Sequence, residues 1–114
     1  MSESRIDVFT QMAREQPQEV MVWYGLASEY VKIEKWGEAV EALRQVLKIN
    51  PDYTAAYQML GSALMSLGES QEARRVWTEG IETAKRTGAW KAGQHMEGLL
   101  AGMKDETGSG FCAE

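Results

Sequence analysis

Residues of matching character recur 34 positions apart along the middle of this 114-residue chain. Trp23 stands in register with Tyr57, Leu26 with Leu60, Ala27 with Gly61, Ala39 with Ala73, and Leu43 with Trp77. The offset is shared by aromatic, aliphatic and small slots together, which signals a duplicated supersecondary unit. Such a unit cannot bury its apolar face alone. The core must come from stacking neighbours.

Each unit reads as a pair of helices. Prolines occur only at 17 and 51, no alternating run marks a strand, and apolar residues fall three and four apart. Trp23, Leu26, Ala27 and Tyr30 form one row, and after a break at Glu34-Lys35 comes Trp36, Ala39, Val40, Leu43, Val46 and Leu47. Asn50-Pro51-Asp52 ends that helix, because proline disfavours α geometry in the residue before it. Asp52 or Thr54 is expected to cap the next helix. Tyr57, Leu60, Gly61 and Leu64 then lead to a turn at Leu67-Gly68-Glu69-Ser70, followed by Ala73, Val76, Trp77, Gly80, Ile81 and Ala84. Gly88 sits where a left-handed helix terminus is expected.

The order of these residues resembles the tetratricopeptide repeat: an aromatic, a Leu-Gly-like pair, Tyr, Ala, a large residue and a closing Pro. The first unit, 20–53, supplies Trp23, Leu26, Ala27, Tyr30, Ala39, Leu43 and Pro51. The second, 54–87, supplies Tyr57, Leu60, Gly61, Leu64, Ala73 and Trp77, with Lys85 in place of the proline. The resemblance covers some two-thirds of the chain. It implies an all-α, right-handed superhelical stack of antiparallel helix pairs, an α-solenoid of about five to six helices. Small residues at 27, 39, 61 and 73 would let the helices of a unit approach closely, and the tryptophans would fill core slots.

Two units are marginal alone, so the ends should cover them. Counting 34 back from Leu43 reaches Phe9 and from Pro51 reaches Pro17. Residues 4–15 therefore read as a half-repeat helix whose stripe Ile6, Phe9, Met12 and Ala13 packs against the helix carrying Trp23. Residues 89–104 read as a capping helix, residues 1–104 as one domain, and 105–114 as a flexible tail.

Chemistry is sparse. Phosphate-binding glycine loops, HExxH and CxxC are missing, His95 is the only histidine and Cys112 the only cysteine. No enzyme activity, cofactor or metal is expected. The carboxylate pairs Glu38/Glu41 and Glu79/Glu82 lie opposite the apolar rows and read as solvated faces. Seventeen acidic residues against twelve basic ones, net −5, with no basic stripe, argue against nucleic acid. No leader-like or membrane-spanning run is present, so a cytoplasmic protein is expected.

The resemblance implies that the first helix of each unit lines a concave face that takes a peptide or helix of another protein. The residues left over by the core pattern there are Met21, Tyr24, Ser28 and Val31, with Lys32 at the edge, and Ala55, Gln58, Ser62 and Met65. Ala92 and Met96 should follow from the last helix. Some family members hold a chaperone's C-terminal carboxylate with lysine, arginine and asparagine. The matching slots here carry Tyr24, Ser28, Gln58 and Ser62, with Ala89 and Gly93 on the last helix. Two readings stay open: an adaptor that binds a partner's peptide in the groove, or an assembly unit that forms a homodimer through its terminal helices.

Overall fold

The structure is a computed structural model describing the backbone of residues 2–112 and the side chains of residues 5–103. Among the described residues six helices follow one another: α1 Ser2–Glu15, α2 Val20–Lys32, α3 Trp36–Ile49, α4 Thr54–Ser66, α5 Ser70–Thr87 and α6 Trp90–Cys112. Each packs against the next, and α4 also meets α6. This is an all-α solenoid of stacked helix pairs.

The duplication extends to the backbone turns and to individual hydrogen bonds. Lys35 N–H donates to Tyr30 O (2.9 Å), and 34 residues later Glu69 N–H donates to Leu64 O (2.9 Å). Both turns pass through left-handed geometry, at Glu34 (φ 61) and Gly68 (φ 82). The indole N–H of Trp23 donates to Pro17 O (3.0 Å), and the hydroxyl of Tyr57 donates to Pro51 O (2.8 Å). In each unit the leading aromatic thus anchors its polar end on the proline that closes the unit before it.

Ala27, Ala39 and Ala73 are fully buried, and Gly61 lies against the Trp77 ring. A Cβ on Gly61 would overlap the Trp77 indole, whose N–H donates to Gln58 O at 3.2 Å. Leu43, Leu60, Leu64, Val46 and Met96 complete the deepest layer. Outside it, Glu72 of α5 accepts from Arg75 (2.6 Å) and lies 3.6 Å from Arg44 of α3, tying one unit to the next. The Arg75 hydrogen bond, with Arg44 adding to it, holds the Glu72 carboxyl below its ordinary range.

Several expectations need correction. Neither Asp52 nor Thr54 caps α4; Tyr53 occupies the cap and makes no side-chain cap bond. The Asp52 carboxylate instead accepts from Arg86 of α5 (2.9 Å), and the Asp52 N–H donates to Asn50 Oδ1 (3.0 Å). Gly88 does end α5 in left-handed geometry (φ 81), and Ala89 belongs to the turn, its N–H bonded to Ala84 O (2.9 Å). At its other end α6 continues past Lys104 to Cys112, through a stretch with no proline to break the ladder. Residues 113–114 of the expected tail lie outside the described residues. Finally, Trp90 fills no core slot: at 75% exposure it is the most exposed large apolar residue described.

Candidate peptide-binding face

α2 and α4 each bury one flank and leave another open. On α2 the buried residues are Val22, Leu26, Ala27 and Glu29; on α4 they are Ala56, Leu60, Gly61, Ala63 and Leu64. Met21, Tyr24, Ser28 and Val31 follow one another in steps of three, four and three, and Ala55, Gln58, Ser62 and Met65 repeat those steps. That spacing places each set along one stripe of its helix. Met21, Ala55 and Ser62 are exposed, while Tyr24, Ser28, Val31, Gln58 and Met65 are half-buried. Tyr24 and Met65 also pack against the core, so their inner edges are fixed and their outer edges free.

A further residue joins the two stripes. Tyr53, in the turn before α4, stacks obliquely on Tyr24 with ring centroids 5.2 Å apart, and its hydroxyl donates to the Met21 sulfur at 3.3 Å. Sequence reasoning missed Tyr53 because it precedes the helical row; an aromatic directly after Asn-Pro-Asp was the available signal. Burial first, and the neighbouring Tyr53 second, push the Tyr24 phenol above its ordinary pKa. At neutral pH this corner therefore offers uncharged aromatic surface, a hydroxyl and a thioether.

The edge of the face is electrostatically settled. Lys32 donates to Glu29 at 3.2 Å, and Arg5 of α1 lies 3.6 Å from the same carboxylate. Glu29 is 6% exposed, so two cations are committed to a buried anion. None of the eight stripe residues is charged.

The last helix does not contribute as expected. Met96 is fully buried, its sulfur against Gly80, and Ala92 is half-buried on the core. The cause is the length of α5, 18 residues against 14 for α3, which breaks the count of 34 and turns α6 about its axis. His95, Glu38, Glu41, Glu79 and Glu82 are exposed, and no group of three or more metal-ligating side chains occurs among the described residues. No described helix is long and apolar enough to cross a membrane.

A profile of the tetratricopeptide repeat matches residues 31–94, more than half of the chain. The chain belongs to the tetratricopeptide repeat family. This TPR protein is 30% identical over 77 residues to TPR repeat-containing protein PA0015 of Pseudomonas aeruginosa, covering 68% of the chain and 73% of that relative. Its fold is similar to the TPR2B domain of yeast Sti1 in complex with pHsp70, with TM-score 0.81, 14% identity, and 89% and 81% of the two chains covered. It is also similar to the first TPR of Spaghetti (RPAP3) bound to the HSP90 peptide SRMEEVD, with TM-score 0.69, 23% identity, and 88% and 80% covered. At these identities the two structures speak for the fold alone. The TPR family is one of protein–protein interaction modules and is generally non-enzymatic.

Proposed function

We propose that this protein is an adaptor whose α2/α4 face holds a helix or extended segment of a partner protein, anchored on Met21, Tyr24 and Tyr53. The observation that carries this reading is the Tyr24–Tyr53–Met21 cluster. It presents stiff aromatic surface beside a deformable thioether, at the head of two uncharged stripes with hydroxyl and amide groups. Tyrosine supplies contact area at little entropic expense, and methionine adapts to a partner's shape. The partner segment is uncharged or weakly charged where it meets the stripes, with one apolar or aromatic side chain seated at the cluster. No cofactor or nucleic acid enters this reading, and the protein works in the cytoplasm.

The charge pattern separates this site from one that grips a terminal carboxylate. Charge-assisted hydrogen bonds are the strong ones in such recognition, and Tyr24, Ser28, Gln58 and Ser62 supply no positive group. Titration with the peptide SRMEEVD is therefore expected to give no measurable heat. Micromolar binding of that peptide would overturn the assignment of a neutral site.

Variants of the cluster test the site directly. Met21 is 60% exposed, so Met21→Ala should leave the fold intact, and Tyr24→Phe removes one hydroxyl without a cavity. Tyr24→Ala should weaken capture of the native partner by about tenfold or more, as expected for an aromatic anchor. Undiminished capture by Met21→Ala and Tyr24→Ala, with unchanged helicity, would move the binding site elsewhere.

A further inference from the structure

Trp90 opens α6 and is 75% exposed, on a helix whose other exposed described residues are polar (Lys91, Gln94, His95, Glu97) or small (Gly98, Ala101, Gly102). Among these neighbours the indole is the one large apolar group left in water. The indole is itself one wall of a cavity of ≈ 200 Å³ at the α5–α6 junction, completed by Ile81, Ala84 and Gly93 and flanked by Lys85 and Glu97. An apolar cavity of about 150 Å³ takes a benzene ring, so this one accommodates the greater part of an aromatic side chain. None of these residues belongs to the α2/α4 face.

We propose that this patch is a two-fold self-association site, in which Trp90 of each copy enters the cavity of the other. A two-fold interface uses the same surface on both subunits, so that surface must carry both a projection and a recess to receive it. Trp90 lines the cavity with part of its surface and leaves 75% exposed, so one patch carries both features. The charges meet the two-fold condition as well. Lys85 and Glu97 flank the same cavity, and neither makes an ion pair among the described residues. A two-fold axis that runs through the cavity between these two side chains sets Lys85 of one copy opposite Glu97 of the other, twice. Tryptophan is also among the side chains most enriched where a few residues dominate binding energy. The patch is small, so the dimer is weak and concentration-dependent.

Sedimentation velocity on the full chain, over a micromolar-to-millimolar series, tests this. The expected result is a monomer–dimer equilibrium whose dissociation constant rises about thirtyfold in Trp90→Ala, with unchanged far-UV circular dichroism. Lys85→Glu and Glu97→Lys should each weaken the dimer, and the double variant should restore it. A protein that stays monomeric throughout the series overturns the proposal. So does a dimer indifferent to Trp90→Ala, a double variant no better than the single ones, or a dimer lost in Val8→Asp, which would place the contact on the exposed side of α1 instead.

Discussion

Gly61→Leu is expected to lower the melting temperature by roughly 10 °C, corresponding to a loss of about 3 kcal/mol. The helix position itself would gain from the exchange, since glycine is about 0.8–1.0 kcal/mol worse than alanine in a helix interior. Packing reverses the sign. A Cβ at 61 overlaps the Trp77 indole, and that ring cannot swing away, because it is 2% exposed and its N–H is held by Gln58 O at 3.2 Å. Accommodating leucine means parting α4 from α5, which loosens the buried layer of Leu60, Leu64 and Val76. Gly98 provides the control: a Cβ there meets nothing within 4 Å, so Gly98→Ala should be neutral or stabilising by up to about 1 kcal/mol. Thermal melts of both variants check the pair. Equal melting temperatures would mean that α4 and α5 do not meet at Gly61.

Deleting residues 1–16 is expected to cost most of the stability of the domain. α1 packs along α2, with Phe9 so close that a Cβ on Gly25 would lie 2.6 Å from its ring. Ala13 is 4% exposed, and Val22 and Glu29 on the facing helix are 5% and 6% exposed. Ile6, Phe9 and Met12 are half-buried, so each contributes part of the roughly 1.5–3 kcal/mol of a fully buried large side chain. Glu29 would also lose Arg5, leaving a buried carboxylate to Lys32 alone. Together these losses reach several kcal/mol, a large share of the 5–15 kcal/mol typical of whole domains. The truncated chain should be molten, aggregated, or paired through the bared α2 flank. A truncation that stays monomeric, with unchanged helicity and melting, would show α1 to be an ornament on a self-sufficient stack.

The fold was legible because duplication writes the same geometry twice. The offset linking Trp23 to Tyr57 also links their hydrogen bonds to Pro17 and Pro51, and it pairs the turns at Glu34 and Gly68. The candidate face was partly legible for the same reason: its two stripes are what remains of α2 and α4 once the core pattern is removed. Tyr53 escaped because it reaches the face from a turn, where helical periodicity says nothing. Met96 was misplaced because the count of 34 was carried through α5, whose extra turn of helix reorients α6. Trp90 was misread because a tryptophan in a repeat protein suggests a core slot, whereas no further helix of the described chain packs over the first turn of α6. Each miss lies where the repeat stops repeating.

Photo-crosslinking from two positions tests the adaptor reading most directly. A photoreactive residue at Ser62, exposed on the α4 stripe, and one at Thr78, exposed on α5, would be activated in the native host. The expected result is one dominant polypeptide adduct from position 62, strongly reduced by Tyr24→Ala, and little or none of it from position 78. The same adduct from both positions, or one from 62 that survives Tyr24→Ala unchanged, would contradict a partner seated on the α2/α4 face.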